Sequence, residues 1–262
     1  MIYPLWKNDI PNYNENYGQA PQITAFPVEG AKACVLICPG GGYENLCSDR
    51  EGSWVAEMYN RNNISAFVLK YRLKPYHFPA QLEDVLRAVR LVRSLANTYG
   101  YDENKIAICG FSAGGHIASM AVTHFDEGKN DGDDIDRFSS RPDLGILVYP
   151  VITMGEFANE GSCRALLADK RNDPEMIRLL SSECAVKDNT PPCFLVHTLE
   201  DTCVPVENSI KMAAALKAKN IPFELHIFPY GHHGFDLGRD DYHKHAGQWA
   251  ELSVRYIKDY LE

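Results

Sequence analysis

The stretch KIAICGFSAGGHIASMAV, residues 105–122, decides the fold of this chain. Residues 105–109 are mostly apolar and predict a buried strand, whereas the small residues 115–121 predict a helix that packs closely on a sheet. Between them, Gly110, Ser112 and Gly114 form the pattern G-x-S-x-G in a strand-turn-helix context. So sharp a turn leaves no room for side chains beside the serine, and it exposes the hydroxyl at the helix N-terminus. Ser112 is the predicted nucleophile.

Short apolar runs alternate with amphipathic stretches along the rest of the chain, which predicts a mostly parallel central sheet flanked by helices. Six runs bounded by Gly, Pro or Asn predict buried strands: 32–38, 65–71, 105–109, 144–151, 192–198 and 223–228. The apolar spacing within 82–96 predicts a surface helix. A second helix is predicted to start with Pro205 in its first turn and to end by Asn220.

The domain organisation follows from length and from one irregular segment. The chain has 262 residues, which suits one large α/β domain, and we expect a single domain over 1–262. Residues 153–190 fit the alternation least well and are strongly charged. We interpret this segment as a small cap insertion rather than a lipase-type lid, which would need a larger exposed apolar face.

Composition excludes several classes of function. The net charge is −9 and no cluster of Lys and Arg occurs, which argues against a nucleic-acid partner. No apolar run is long enough to span a membrane, and residues 1–30 lack the apolar region of a signal peptide, so we expect a cytoplasmic protein without a membrane partner. The sequence leaves open whether the protein forms a homodimer.

The cysteine pattern argues against a metal site. Several of the eight cysteines lie in apolar runs and no C-x-x-C pair occurs, so we expect buried thiols and no metal site. The stretch 240–245, rich in Asp and His, is better explained as a solvated helix start than as a metal site.

A serine hydroxyl becomes an effective nucleophile only when a base removes its proton, so a histidine held by a carboxylate must lie near Ser112. In strand-turn-helix hydrolases the acid precedes the histidine, and both follow the serine. Asp201 lies just after the run 192–198, and His233 lies in a loop after the run 223–228. Their neighbours Glu200 and His232 compete for the same roles, and spacing alone does not choose between them.

An anion site for the tetrahedral intermediate is predicted after the first apolar run. The glycines 40–42 permit backbone N–H groups to point into a cavity, and we assign Gly41 and Gly42 as donors together with the N–H of Ala113. Tyr43 follows this turn directly, and Val204 lies in the loop of Asp201. We expect both side chains to contact the acyl group of the substrate.

Several motifs, taken together, resemble one family: CPGGGY (38–43), LKYRL (69–73), GFSAGGH (110–116), DTCVP (201–205) and GHHGF (231–235). They are similar to those of the bacterial esterase/lipase group related to acetyl xylan esterases and to carboxylesterases resembling hormone-sensitive lipase. The resemblance implies an α/β-hydrolase fold, with His233 as base and Asp201 as acid. Pro39 replaces the histidine of many relatives, which favours the branch similar to acetyl xylan esterases.

The resemblance also implies a reaction. A serine carboxylesterase that removes short acyl groups, acetyl above all, through an acyl-enzyme is expected, with small-molecule esters as substrates and no cofactor. Carbohydrate esters such as acetylated xylo-oligosaccharides are the expected substrates. The alternative is a peptidase or amidase, including an arylformamidase, that uses the same triad.

Overall fold

The structure, a computed structural model, describes residues 1–261 and contains one eight-stranded sheet in that range. Its strands are β1 Ile2–Pro4, β2 Gln22–Phe26, β3 Cys34–Cys38, β4 Ser65–Lys70, β5 Ile106–Phe111, β6 Leu144–Val148, β7 Cys193–Thr198 and β8 Phe223–Phe228. The spatial order is β1-β2-β4-β3-β5-β6-β7-β8. β2 pairs antiparallel with both β1 and β4, while β3 to β8 are all parallel to one another.

Helices cover both faces of this sheet. They are α1 Trp54–Asn60, α2 Ala80–Ser94, α3 Ala96–Tyr99, α4 Ser112–Thr123, α5 Glu160–Leu167, α6 Pro174–Leu180, α7 Glu207–Ala218 and α8 Trp249–Leu261. Apolar residues of α1 and α8 form a core on one face of the sheet, and those of α2, α4 and α7 form the core on the other. A π-helical turn, Asp49–Ser53, leads directly into α1.

The six predicted strands and the predicted α/β fold are confirmed, with strand ends shifted by a few residues. The predicted burial is wrong for β8, which lies at the edge of the sheet and has only half-buried and exposed residues. β1 and β2 were not predicted, because β1 is a three-residue strand at the edge of the sheet and only alternate residues of β2 are buried. The second predicted helix begins at Glu207, so Pro205 precedes α7 instead of lying in its first turn.

The predicted cap segment, residues 153–190, contains α5 and α6 with a short 3₁₀ turn after each. Leu166 and Leu180 are fully buried in the same core as α2 and α4. Apolar side chains therefore tie the segment to the body of the molecule. The interpretation of this segment as a cap insertion within a single domain stays a prediction.

Two further expectations concerned buried thiols and the absence of a membrane-spanning segment. Five of the eight cysteines are buried and all eight are free thiols. None of the helices within residues 1–261 has the length and apolar character needed to cross a membrane.

Candidate active site

The turn between β5 and α4 holds Ser112 by close packing of the backbone. Ser112 has a φ of +52°, a conformation that costs energy for a residue with a side chain. A Cβ on Gly110 would lie 2.2 Å from the carbonyl oxygen of Gly114, and a Cβ on Gly114 would lie 2.1 Å from that of Cys38. Both glycines of the pattern are therefore required for space.

The parallel strands end at one edge of the sheet, and the loops that follow β5, β7 and β8 bring three side chains together. His233 Nε2 lies 2.8 Å from Ser112 Oγ, and His233 Nδ1 lies 2.6 Å from Asp201 Oδ2. An Nδ1 that faces a carboxylate carries the proton, so Nε2 is free to accept the proton of Ser112. The arrangement can perform nucleophilic acyl transfer.

Glu200 and His232, the alternatives left open by spacing, point elsewhere. Glu200 accepts hydrogen bonds from the backbone N–H of Gly231 and from the hydroxyl of Tyr242. The His232 ring packs on Tyr242, with ring centroids 5.0 Å apart. Of the candidates, the structure brings together Ser112, Asp201 and His233 and leaves the other two outside.

Asp201 is buried and fully satisfied by hydrogen-bond donors. Its Oδ1 accepts from the N–H groups of Cys203 (3.0 Å) and Val204 (2.8 Å). Burial alone would raise the pKa of this carboxyl, but the hydrogen bonds from His197 and His233 hold the pKa of Asp201 well below its usual range. Asp201 therefore stays ionised in the folded protein near neutral pH.

His197 is a residue that sequence reasoning missed. It lies on β7 and is fully buried, with Nε2 2.9 Å from the carbonyl oxygen of Val204 and 3.3 Å from Asp201 Oδ2. Its Nδ1 lies 2.8 Å from Ser209 Oγ. A histidine inside an otherwise apolar strand was the available signal, because a buried polar side chain needs partners.

The glycine turn after β3 supplies backbone donors. Gly41 and Gly42 have φ values of +132° and +67° and both line the cavity at Ser112. Within residues 1–261 the N–H groups of Gly41, Gly42 and Ala113 have no acceptor. By contrast, the N–H of Gly40 donates to Glu51 Oε2 at 2.7 Å, so it is not available to a substrate. This geometry suits an oxyanion site.

The cavity at Ser112 has a volume of about 450 Å³, and its lining combines polar side chains with a larger exposed area of apolar atoms. The lining residues are Gly41, Gly42, Cys47, Arg50, Glu51, Ser112, Asn159, Ser162, Cys203, His233, Gly234 and His243. Asn159 and Ser162 belong to the predicted cap segment, which therefore forms one wall.

Tyr43 and Val204 do not lie where we expected them. Both side chains are fully buried, and neither is among the residues that line the cavity. The Tyr43 hydroxyl lies 2.6 Å from Nδ1 of His116, whose Nε2 donates to the carbonyl oxygen of Leu180. Tyr43 thus supports the core beneath the site, and the expected contact of either side chain with the acyl group is corrected.

The acidic and histidine-rich stretch near the site forms local pairs instead of a metal cluster. His243 Nδ1 lies 2.7 Å from Asp240 Oδ2. In the described part of the chain, no group of three or more His, Cys, Asp and Glu side chains is placed to hold a metal ion.

Comparison with known proteins places these features in a family. The BD-FAE family model matches residues 27–216, and the dienelactone hydrolase family model matches residues 179–260. A solved structure of an acetyl ester-xyloside bifunctional hydrolase from Caldicellulosiruptor lactoaceticus is 44% identical, with a TM-score of 0.94 over 99% of this chain and 96% of that one.

Two curated relatives are considerably longer than this chain. Endo-1,4-beta-xylanase B of Butyrivibrio fibrisolvens is 42% identical over 246 residues, which are 91% of this chain and 38% of the relative. Acetylxylan esterase of Xylanibacter ruminicola is 31% identical over 243 residues, which are 89% of this chain and 48% of the relative. The chain thus spans less than half of either relative. The matched family model, the similar solved structure and the strand order show that this chain belongs to the BD-FAE family and has the α/β-hydrolase fold.

Proposed function

We propose that this protein is a serine carboxylesterase that removes short acyl groups, acetyl above all, from carbohydrate esters such as acetylated xylo-oligosaccharides. One observation carries the proposal: Ser112, His233 and Asp201 form a continuous hydrogen-bonded chain at a cavity that backbone N–H groups also line. That constellation serves acyl transfer on several unrelated folds, and the roles follow from geometry.

In the proposed reaction, His233 Nε2 takes the proton of Ser112 as Oγ attacks the ester carbonyl. The resulting oxyanion accepts hydrogen bonds from the N–H groups of Gly41, Gly42 and Ala113; losing one such donor typically costs about 2.7–4 kcal/mol of transition-state stabilisation. His233 then returns the proton to the departing alcohol. Water hydrolyses the acyl-enzyme by the same steps in reverse, and ionised Asp201 stabilises the imidazolium in both halves.

The relatives support the choice of bond and of substrate class. One curated relative is named for acetylxylan, and the solved structure at 44% identity is named for acetyl esters and xylosides. A cavity of about 450 Å³ favours a small acyl group over a long lipid chain, and polar side chains in its lining, such as Asn159 and Ser162, can bind a polar alcohol.

Cleavage of xylosides is a separate chemistry, for which the cavity offers less support. Glycoside hydrolysis ordinarily requires two carboxylates that flank the scissile bond. Among residues 1–261, the lining of this cavity contains one carboxylate, Glu51, whose two oxygens accept from Gly40 N–H and the Tyr149 hydroxyl. We therefore restrict the proposal to ester bonds.

A substrate comparison tests the proposal. p-Nitrophenyl esters from acetyl to octanoyl should show the highest kcat/KM at acetyl or propionyl, because added methylenes stabilise a complex only where a pocket receives them. Acetylated xylo-oligosaccharides should be deacetylated. A maximum at six carbons or longer would reject the short-acyl assignment, and faster turnover of aminoacyl-anilides or N-formylkynurenine would favour the amidase alternative.

A further inference from the structure

Glu51 is a buried carboxylate that joins two loops of the active site. It is only 5% exposed, although its neighbour Arg50 has 58% of its side chain exposed. Glu51 Oε2 accepts from the N–H of Gly40 at 2.7 Å, and Oε1 accepts from the hydroxyl of Tyr149 at 2.8 Å. Both oxygens of the buried group are therefore engaged, one of them by the turn that carries Gly41 and Gly42.

Tyr149 extends this connection to the histidine loop, residues 230–236. Its hydroxyl donates to Glu51 and accepts from the N–H of Asp236 at 3.2 Å. Its ring lies against the rings of His233 and Phe235, at centroid distances of 5.0 Å and 4.5 Å. The hydrogen-bonded path thus runs from Gly40 through Glu51 and Tyr149 to the loop of the base.

Arg50 binds the same loop from the exposed side. Its Nε donates to Asp236 Oδ2 at 2.7 Å, and its Nη2 donates to the carbonyl oxygen of Gly234 at 2.9 Å. Arg50 and Glu51 both lie in the π-helical turn, where the N–H of Ser53 donates to the carbonyl oxygen of Ser48, five residues earlier. Such turns are uncommon and often occur at functional sites.

We propose that Glu51 is a positioning residue that holds the glycine turn of the oxyanion site and the loop of His233 in register with each other. The inference rests on the proposed function, since it concerns the same transition state. An ionised carboxylate can accept both hydrogen bonds, whereas an amide of the same shape has one acceptor and one donor group. The donor would face either the N–H of Gly40 or the hydroxyl of Tyr149.

The negative charge of Glu51 also favours catalysis. Burial raises the pKa of Glu51 above its ordinary value, although the hydrogen bonds from Tyr149 and Gly40 and the nearby charge of His233 oppose this rise and favour the ionised form. Because the coupling between two charges is reciprocal, ionised Glu51 also stabilises the imidazolium that forms on His233 in the transition state. The ground state, with neutral imidazole, gains much less.

The test replaces Glu51 by glutamine and compares the variant with Glu57→Gln as a matched control. Glu57 lies on α1, about one and a half turns away, and forms only an exposed pair with Arg61 at 3.7 Å. For Glu51→Gln we expect kcat with p-nitrophenyl acetate to fall by roughly 10- to 100-fold and KM to change by less than about 3-fold, below the roughly 10²–10³-fold cost of deleting an oxyanion donor. Glu57→Gln should match the wild type.

A second measurement separates positioning from general damage. A trifluoromethyl ketone adds to Ser112 and mimics the tetrahedral intermediate, so its affinity should fall in parallel with kcat in folded Glu51→Gln protein. Tyr149→Phe breaks the same path one bond later and should lower kcat and ketone affinity by roughly 3- to 10-fold, which keeps the proposal testable if Glu51→Gln does not fold. The double variant should be no worse than Glu51→Gln alone, because both changes remove one shared interaction.

Unchanged kcat in Glu51→Gln, a loss confined to KM, unchanged ketone affinity, or fully additive losses with Tyr149→Phe would each overturn the inference. Failure of the proposed function gives a different result. In that case wild-type protein would not hydrolyse the ester, or Ser112→Ala would hydrolyse it equally well.

Discussion

The serine side and the histidine side of the site are held in different ways. Around Ser112 the chain is packed against itself, so that an added Cβ at Gly114 would lie 2.1 Å from a backbone oxygen. In the histidine loop, Gly234 has a φ of +81° and nothing within 4 Å of the place where a Cβ would lie. Besides the packing of Phe235 on Tyr149, polar contacts hold that loop, including those of Thr198 and Arg50 with its carbonyl groups.

This contrast has a functional consequence. Packing in the core holds Ser112, the proposed nucleophile, with backbone atoms, and a change there alters the fold itself. Hydrogen bonds help to hold the loop of His233, the proposed base, and they can be removed one at a time. We therefore expect substitutions in the histidine loop to lower activity by different amounts while the structure is retained. Substitutions of the glycines in the serine turn should instead destabilise the fold.

The largest expected effect comes from Ser112→Ala, which removes the attacking oxygen and adds no volume. We expect kcat to fall by on the order of 10⁶, the scale seen when a serine hydrolase loses its nucleophile, with unchanged far-ultraviolet circular dichroism. Labelling by a fluorophosphonate probe should disappear. Ser94→Ala, on α2, is the matched control; more than a few per cent residual kcat in Ser112→Ala would contradict the assignment.

On the histidine side, His233→Ala should be about as damaging as Ser112→Ala, because members of one catalytic unit have non-additive effects. His232→Ala removes a ring that packs on Tyr242 and should lower kcat by less than about 10-fold. Steady-state kinetics on both folded variants provides the comparison. A larger loss at His232 would reverse the assignment of the base.

Asp201→Asn should lower kcat by up to ~10⁴ without loss of fold. Asp201 Oδ1 accepts two backbone N–H groups, so the amide nitrogen of the asparagine would face His233 Nδ1 and force the ring to donate from Nε2. That tautomer cannot take the proton of Ser112. Glu200→Gln keeps the neighbouring site and should change kcat by only a few-fold; equal losses at 200 and 201 would count against Asp201 as the acid.

The smallest expected effect, and the sharpest test of the contrast, is a pair of glycine substitutions. Gly114→Ala must displace the backbone after β3 and should cost about 3 kcal/mol or more of unfolding free energy. Gly234→Ala meets no atoms and should cost only about 1 kcal/mol, for its left-handed backbone. Chemical denaturation of both variants measures the difference. Equal costs would show that the two sides are held alike.

Local sequence patterns predicted much of this architecture. Continuous apolar runs identified β3 to β7, because a parallel strand inside the sheet is buried on both faces and its signal does not depend on distant residues. The run of β8 was identified as well, although that strand lies at the edge and is only half-buried or exposed. β1 and β2 lack that signal, since β1 has only three residues and the burial of β2 alternates. Glu51 gave no signal at all, because its burial depends on Tyr149, 98 residues away in the chain.

The side-chain directions in the site were harder to predict than its members. Tyr43 follows the glycine turn in sequence, which suggested a contact with substrate. Its φ of +63° and its hydrogen bond with His116 instead place the ring in the core. The hydrogen-bond partner of Tyr43, His116, lies 73 residues further along the chain, and the spacing of residues near position 43 does not predict this contact.

The sequence by itself determined the fold class and the position of Ser112, because strand periodicity, helix packing and the steric demands of the G-x-S-x-G turn are local properties. Spacing left Glu200 and His232 as alternatives, and resemblance to a family favoured their neighbours. Only the tertiary structure places His233 against Ser112, 121 residues apart, and makes a buried Glu51 the link between two loops. Such convergence depends on how the parallel strands align at one edge of the sheet, which no local pattern specifies.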